Sequence, residues 1–247
     1  VDDLNGDVYL PNGAPSDGVT VVNETSGDVI TSISAGLGSA FATLDYRNGD
    51  IYVANQESDT VSVISGVSNQ VIATVPVQGT PYSMIADNST GNVFVAAGDI
   101  NWSTGSLSGA VGTDISGSTS QVLGSVPLGD DFQGFAGVTA TGGILCETAG
   151  ALVVVNATTN RIVESVPEPL TPSSVAFDPV TGQVYLSSFT AGAVEVLSGI
   201  PAPPELSSVS SASLGLEVGI LAQSSALVAL AVVLLVSRGH ERTRLQF

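Results

Sequence analysis

The amino-acid sequence predicts an all-β chain built from a repeated four-stranded unit, followed by one membrane-spanning helix. Three observations support this prediction. A tight turn containing glycine recurs at nearly even spacing, alternating apolar runs follow each turn, and a long apolar segment stands near the C-terminus. Alternation with a period of two residues is typical of half-buried strands, whereas a long continuous apolar segment is typical of a helix in a bilayer.

The repeat is visible in its turns. Gly6, Gly49, Gly91, Gly142 and Gly182 are 43, 42, 51 and 40 residues apart. The first run after each turn reads DVYL, DIYV, NVFV, GILC or QVYL, and a second run follows about ten residues later. A polar turn and a third run complete the first four units, and a short apolar stretch precedes the next glycine. Four short strands per repeat predict the blade of a β-propeller.

Helical repeats and a β-sandwich are the alternatives to the propeller. The β-branched content and the frequent glycine turns argue against helical repeats of similar length. A sandwich contains short strands as well, but it does not predict that the same four-strand unit recurs in register.

One unit resembles a known repeat. Its segments are 51–55 (IYVAN), 60–64 (TVSVI), 69–72 (NQVI) and 79–81 (GTP), and they are similar to the YVTN-type repeat of YncE-like bacterial and archaeal surface-layer-like β-propellers. Residues 9–12 and 185–188 match more weakly. The resemblance covers residues 1 to about 200. It implies a seven-bladed ring, of which about five blades are present, so we expect residues 1–200 to be N-terminally incomplete.

The rest of the chain divides into three segments. Residues 201–213 (PAPPELSSVSSAS) predict a Pro/Ser-rich stalk. Residues 214–237 predict a transmembrane helix, because their apolar core at 218–236 spans roughly 28 Å as a helix, close to the thickness of a bilayer's hydrocarbon layer. Arginines in the basic tail, residues 238–247, predict a cytoplasmic C-terminus and an extracytoplasmic propeller. A buried C-terminal helix is the alternative.

The composition excludes several classes of function. The 247 residues include five Lys plus Arg, all arginine, against 23 Asp plus Glu, for a net charge of −18. Binding to a nucleic-acid backbone therefore has no electrostatic basis. The single cysteine and single histidine exclude an internal disulfide and most histidine-based catalytic or zinc sites within the chain. No catalytic residue, metal or cofactor is predicted.

The candidate recognition residues lie where the third unit departs from the repeat. Phe94 to Val111 spans 17 residues, whereas the equivalent separation in the second unit is nine. The extra residues contain the chain's only tryptophan, so we predict a Gly/Ser-rich loop that presents Asp99, Trp102 and Asp114 to a ligand. Exposed tryptophan is enriched in binding hot spots, and carboxylates accept hydrogen bonds from hydroxyls. The alternative is that Trp102 covers a hydrophobic gap.

Other polar residues favour structural or surface roles. An aspartate stands four residues before four of the turn glycines, and we interpret it as a turn cap rather than a metal or acid–base group; these residues are Asp2, Asp45, Asp87 and Asp178. Cys146 aligns with strand position Val53 and is expected to be buried. Four sequons are candidate N-glycosylation sites, at Asn23, Asn88, Asn101 and Asn156. At Asn23 and Asn156, turn capping is the alternative.

These features predict a single-pass, cell-surface β-propeller that acts as a binding, adhesion or envelope module. Its expected partners are the membrane, an envelope glycan or surface protein, and other copies of itself by lateral association. The alternative is a propeller enzyme, such as a lactonase-like hydrolase or a quinoprotein-like dehydrogenase. The YVTN likeness implies a surface protein of undefined ligand, because the motif residues are structural.

Overall fold

The computed structural model describes residues 5–13, 16–101, 103, 106–139, 142–148, 150–167, 174–178, 180–188, 191–198 and 241–246. These residues form nineteen strands and no helix. In chain order, the strands are β1 Asp7–Pro11, β2 Val19–Asn23, β3 Val29–Ile33, β4 Ser39–Asp45, β5 Asp50–Asn55, β6 Thr60–Ser65, β7 Gln70–Pro76, β8 Thr80–Asp87, β9 Asn92–Asn101, β10 Ser106–Ile115, β11 Val122–Gly129, β12 Phe132–Val138, β13 Gly143–Thr148, β14 Ala151–Asn156, β15 Arg161–Pro167, β16 Ser174–Asp178, β17 Gln183–Ser188, β18 Ala193–Ser198 and β19 Glu241–Gln246.

Consecutive strands pair antiparallel to form five units, which we number sheet 1 (β1–β3), sheet 2 (β4–β7), sheet 3 (β8–β11), sheet 4 (β12–β15) and sheet 5 (β16–β19). One pairing, between Leu107 of β10 and Phe132 of β12, joins sheets 3 and 4 into a single eight-stranded sheet. The all-β fold with antiparallel sheets is confirmed. The described strands do not form a closed ring.

In sheets 2, 3 and 5, the turn between the first and second strands holds one of the predicted aspartates. Asp45 accepts a hydrogen bond from the Arg47 backbone N–H, and Asp178 accepts one from Val180 N–H. Asp87 accepts from the Ser89 N–H and from the hydroxyls of Ser89 and Thr90. The turn-cap interpretation is confirmed for these three carboxylates, and Asp2 lies outside the described residues.

Four apolar clusters fill the spaces between successive sheets, each shared by two neighbours. The repeated aromatic position on the second strand packs into the next sheet: Tyr9 lies between sheets 1 and 2, Tyr52 between sheets 2 and 3, and Phe94 between sheets 3 and 4. Branched and aromatic side chains on both faces of each strand therefore stack the sheets in series. The first strands of sheets 2 to 5 also lie beside one another.

The extra residues of the third unit form a hairpin, which corrects the prediction of a flexible loop. β9 and β10 are ten residues long, and their pairing runs from Asn101↔Ser106 through Asp99↔Ser108 before a bulge that ends at Val111. Leu107 is fully buried against sheet 4. Burial of this side chain orders a Gly/Ser-rich segment whose own strand propensity is low.

The C-terminal segment contains a further strand. Residues 238–247 are predicted as a cytoplasmic tail, but Glu241–Gln246 (β19) pairs with β18 from Ala193↔Gln246 to Ser198↔Glu241. The free edge of β18 offers backbone donors and acceptors that favour such a partner. A tail paired with β18 lies on the same side of a membrane as sheet 5, so this pairing and a cytoplasmic location exclude one another.

The predicted transmembrane segment, residues 214–237, and the predicted stalk, residues 201–213, lie outside the described residues. Within the part of the chain that the structure describes, no helix has the length and hydropathy needed to cross a bilayer.

Candidate functional site: a cleft between first strands

The first strands of sheets 2, 3 and 4 each contain a β-bulge at an equivalent position. The register skips Ala40 in β4, Tyr82 in β8 and Gln133 in β12. A bulge adds one residue to one strand, bends it, and redirects the side chain at the extra position. In sheet 3 the redirected side chain is an aromatic ring.

This ring completes a cleft of about 230 Å³ between β4 and β8, which we call the first-strand cleft. Its lining residues are Phe41, Ala42, Tyr82, Ser83 and Met84. The Phe41 and Tyr82 rings meet edge to face, with centroids 5.9 Å apart and planes inclined by 67°. Phe41 is 44% exposed, although it is one of the largest apolar side chains of sheet 2. The exposed Phe41 ring and the half-buried Tyr82 ring therefore offer an aromatic surface to a ligand at this concave site.

The chemistry of the first-strand cleft is that of a neutral, amphipathic site. Two aromatic rings and the Met84 thioether provide apolar surface, and the hydroxyls of Tyr82 and Ser83 can donate and accept hydrogen bonds. None of its five lining residues is ionisable at neutral pH. The volume suits one ring-sized group rather than a large cofactor, since sites for drug-sized ligands are typically about 300 Å³ or more.

The structure does not bring the predicted recognition residues together. Asp99 is exposed on the β9–β10 hairpin, whereas Asp114 is buried at the other end of the same hairpin, opposite Phe94. Five strand residues separate these levels, roughly 17 Å. Trp102 lies outside the described residues. Asp99 and Asp114 therefore lie at different levels of one hairpin, and a recognition role for Asp99, Trp102 and Asp114 stays a prediction.

The hairpin nevertheless lies at the same end of sheet 3 as the first-strand cleft. Thr80 and Pro81, which precede the bulge, pair with Gly98 and Ala97 at the base of the hairpin. Asp130, in the loop after β11, also lies at this end of the sheet, because its Oδ1 accepts a hydrogen bond of 2.8 Å from the Gly109 N–H. Asp130 thereby fixes the hairpin to the loop that enters sheet 4.

Two buried carboxyl groups have strongly raised pKa values, and neither lines the first-strand cleft. Burial raises the pKa of Asp114 to about 6; the nearby Asp87 carboxylate adds to the shift, and hydrogen bonds from Asn160 and Asn92 oppose it. Burial alone raises the pKa of Glu147 to about 7, and its Oε1 has no hydrogen-bond partner among the described residues. Glu147 shares a face of β13 with Leu145, which packs against sheet 5.

The remaining candidate residues lie in turns and strand ends. Asn23 and Asn156 are the last residues of β2 and β14, and their Oδ1 atoms accept turn N–H groups. Asn101 ends β9 and is exposed, with its Oδ1 bonded to Ser103, and Asn88 is exposed after β8. All four side-chain amides are thus placed near turns, where glycosylation stays a prediction.

Cys146 is fully buried in the core between sheets 3 and 4, as predicted. Its thiol lies 3.8 Å from the Ile144 carbonyl, and burial raises its pKa far above the ordinary value. A thiol in this position is inert. Among the described residues, no group of three His, Cys, Asp or Glu side chains could hold a metal ion.

The sequence contains a signal for the first-strand cleft that a motif search does not detect. Phe41 pairs with Ala54, and the residues at the equivalent position in sheets 3, 4 and 5 are Ser83, Gly134 and Ser174. A large aromatic residue at a position that is otherwise small marks a local departure from the repeat. Aligning the first strands by the turn glycine that follows each of them would have revealed it.

Comparisons with known proteins identify the fold alone. No protein-family model matches the chain, and no curated protein matches it. Among solved structures, hydrazine synthase from Kuenenia stuttgartiensis is similar, with a TM-score of 0.59 and 18% identity over 78% of this chain and 53% of that chain. This chain therefore spans about half the length of that structure. The similarity does not bear on the YVTN-type repeat, which stays a prediction.

Proposed function

We propose that the chain is a membrane-anchored, cell-surface β-propeller that binds a sugar ring of an envelope glycan in the first-strand cleft. The observation that carries this proposal is the contact between the exposed Phe41 ring and the half-buried Tyr82 ring in a neutral cleft of ring-sized volume. A sugar ring has an apolar C–H face that suits an aromatic surface and hydroxyls that suit Tyr82 and Ser83.

The propeller architecture is supported by the way in which the sheets stack. Each of four apolar clusters joins one antiparallel sheet to the next, and the first strands of sheets 2 to 5 are neighbours. In a propeller, first strands surround the central axis and the connecting loops create a ligand-binding face. The bulges at Ala40, Tyr82 and Gln133 would direct side chains towards that axis.

Binding to purified envelope glycans would test the proposed function. We expect Phe41→Ala and Tyr82→Ala each to weaken glycan binding by about tenfold or more, as expected of a buried aromatic contact. Tyr46→Ala is the matched control, because Tyr46 is 50% exposed in the turn at the opposite end of sheet 2. Equal affinity for the wild type and both cleft variants would refute the site. Binding only to a surface protein would refute the ligand class.

The membrane anchor is a proposal from residues 214–237 and the arginines that follow. An epitope placed after Phe247 distinguishes it from the β18–β19 pairing. In intact cells, protection of the epitope from an external protease supports a cytoplasmic tail. Cleavage of the epitope, with the propeller resistant, supports β19 and contradicts the anchor topology.

Lateral self-association is a second candidate role, favoured by the last strands of sheets 1 to 4. These strands present exposed aliphatic residues at equivalent positions, namely Val29, Ile30, Ile72, Val122, Leu123, Ile162 and Val163. Repeated apolar residues on strands with a free edge favour contacts between copies. Sedimentation velocity over a range of protein concentrations tests this role, and a monomer at every concentration would exclude it.

The enzyme alternative requires reactive groups in the same cleft. The two carboxyls with strongly raised pKa values, Asp114 and Glu147, lie between sheets and away from the first-strand cleft. The geometry of the cleft therefore favours binding over catalysis. The enzyme alternative would be supported instead if the purified chain hydrolysed lactones or carried out a quinone-dependent oxidation, and if Tyr82→Phe abolished that activity.

A further inference from the structure

The contact between sheets 3 and 4 differs from the regular contact in its polar groups. Between sheets 1 and 2, the Tyr9 hydroxyl donates a hydrogen bond of 2.6 Å to Oδ1 of Asn69, a turn residue with φ of 55°. Between sheets 3 and 4, the residue equivalent to Tyr9 is Phe94, which has no hydroxyl. The equivalent turn residue is Asn160, with φ of 51°.

A carboxyl group replaces the missing hydroxyl. Asp114 lies opposite Phe94 and is 2% exposed, at a strand position that holds valine in the other four sheets: Val21, Val63, Val154 and Val196. Asn160 Nδ2 donates to Asp114 Oδ2 at 3.4 Å across the two sheets.

Gly124 provides the space for this contact. It pairs with Asp114 on the neighbouring strand, and a Cβ atom there would lie 2.5 Å from Asn160 Nδ2. The regular sheet 2 has Ala73 at the equivalent position. The changes at Phe94, Asp114 and Gly124 therefore act together on one side chain, Asn160.

The hydrogen bonding of Asn160 is incomplete while Asp114 is ionised. Asn160 Oδ1 is buried and has no partner among the described residues. A carboxylate only accepts hydrogen bonds, whereas a neutral carboxyl group carries one O–H donor. When protonated, Asp114 can donate its O–H to Asn160 Oδ1 and accept from Asn160 Nδ2 with its other oxygen. Two reciprocal hydrogen bonds then join the sheets, and no buried polar atom of the pair lacks a partner.

We propose that Asp114 and Asn160 form an acid-closed clamp between sheets 3 and 4. Uptake of one proton from water by the Asp114 carboxylate completes the clamp. Loss of that proton leaves one hydrogen bond between the Asp114 and Asn160 side chains and a buried charge on Asp114.

The surrounding groups favour the protonated form. Asp87, at the end of β8, is the charged group that acts on Asp114, and its negative charge raises the Asp114 pKa further after burial has raised it to about 6. Asn92 on β9 and Asn160 donate hydrogen bonds that oppose the shift, and β11 contributes Gly124, which carries no charge. Arg161, next to Asn160, is exposed. Arg47, in the turn after β4, donates to the Ser89 carbonyl, and among the described residues no cation contributes to the pKa shift of Asp114.

The sign of the effect follows from linkage. Because the pKa of Asp114 is higher in the folded state than its ordinary value of 3.8, the clamp stabilises the fold fully below that value. The stabilisation is lost as the pH rises through the folded-state pKa. Between pH 8 and pH 5, one such group changes the folding equilibrium constant by about tenfold in favour of the folded state.

Urea unfolding of the full chain at pH 5 and pH 8 tests the clamp. In Asp114→Asn, the amide can make both reciprocal hydrogen bonds at either pH. We therefore expect the tenfold change in the folding equilibrium constant between pH 8 and pH 5 to disappear from this variant, and we expect the variant to be more stable than the wild type at pH 8. Asp59→Asn is the matched control. It removes one exposed charge at a position with φ of 51°, which asparagine tolerates, and it should keep the wild-type pH dependence.

A second measurement follows the titration of the carboxyl group itself. Carbon-13 NMR of labelled aspartate carboxyls should show one group titrating near pH 6, and that signal should be absent from Asp114→Asn. The proposal is overturned if Asp114 titrates near its ordinary value, or if Asp114→Asn keeps the full pH dependence of the wild type.

Discussion

The contact between sheets 1 and 2 and the contact between sheets 3 and 4 are built on the same repeat but satisfy their polar groups differently. In the first, Asn5 Nδ2 donates to the Gly66 carbonyl and the Tyr9 hydroxyl donates to Asn69. In the second, Leu107 adds apolar contact while Asn160 keeps an unpartnered oxygen. The difference shows that the repeat determines packing, whereas departures from it decide which buried polar groups have partners.

Among the described residues, two other buried polar atoms without partners follow the same rule. Tyr52 Oη lies between sheets 2 and 3, and Glu147 Oε1 lies on the face of sheet 4 that meets sheet 5. Each belongs to a contact in which sheet 3 or sheet 4 takes part. Sheets 3 and 4 are therefore where the effect of a substitution on stability should depend on pH or on the identity of a second, contacting residue.

Leu107→Ala should produce the largest loss. Leu107 is fully buried between sheets 3 and 4, and its truncation creates a cavity, so we expect the free energy of unfolding to fall by about 3 kcal/mol. Leu10→Ala on β1 is the control, because Leu10 is 47% exposed. Urea denaturation measures both. A loss no greater than that of the control would show that the hairpin does not support the contact.

Glu147→Gln should stabilise the fold at alkaline pH. The pKa of Glu147 is raised by burial from 4.5 to about 7, so ionisation costs folding free energy as the pH rises through that range. We expect the variant to gain up to about 3 kcal/mol at pH 8 and almost nothing at pH 4. Glu24→Gln, at an exposed turn position, should gain little at either pH. Equal gains for Glu147→Gln at both values would contradict the assignment.

Asn55→Ala tests whether the regular sheet depends on its polar network. Asn55 is fully buried, accepts from the Ser39 hydroxyl at 3.0 Å, and donates to the Ser62 hydroxyl at 2.9 Å. Removing it takes the amide donor from the buried Ser62 hydroxyl, while the Ser39 hydroxyl keeps its bond to the Gly36 carbonyl, so we expect a loss of about 2 kcal/mol. Asn12→Ala is the control at the equivalent, exposed position of sheet 1. Thermal unfolding of the two variants should differ clearly, and similar melting temperatures would exclude the network as a source of stability.

Ser120→Asn should restore the regular contact between sheets 2 and 3. Ser120 has φ of 53° and occupies the turn position of Asn69, while Tyr52 Oη lacks a partner. Asparagine tolerates this backbone conformation and would accept the Tyr52 hydroxyl, so we expect a gain of about 1 kcal/mol. A double-mutant cycle with Tyr52→Phe separates the gain due to the hydrogen bond from the gain due to the backbone conformation that asparagine tolerates. If the gain is unchanged in the Tyr52→Phe background, the hydrogen bond does not form.

The sequence predicts the regular parts of this molecule well because their signals are local. Turn glycines, the aspartates before them, and alternating runs specify hairpins without reference to distant residues, and the buried positions of Tyr9, Tyr52 and Phe94 follow from their recurrence, although Tyr185 at the same repeated position is 37% exposed. The sequence predicts a loop in place of the hairpin because Ile100 and Leu107 are isolated apolar residues in a segment rich in glycine and serine. Their burial depends on sheet 4, which local pattern does not encode.

The candidate site is harder to predict for a related reason. The bulge at Tyr82 adds one residue to β8 without changing the apolar pattern, so its redirected side chain cannot be recognised from alternation. The sequence places Asp114 beside the predicted loop as a hydrogen-bond acceptor for a ligand, but its burial depends on Phe94 beside it and Asn160 in the next sheet. Pairwise contacts across sheets, not composition, determine both.

The single backbone pairing of Leu107 with Phe132 has a consequence for the way in which the chain unfolds. Sheets linked only through side chains can separate one at a time, as in a linear array of repeats. The β10–β12 pairing ties two adjacent repeats by main-chain atoms as well, so amides of β9 and of β13 should exchange with deuterium in one concerted opening event. Under a pulling force applied to the chain ends, sheets 3 and 4 should unfold together, in a single step that releases about twice the chain length of one sheet.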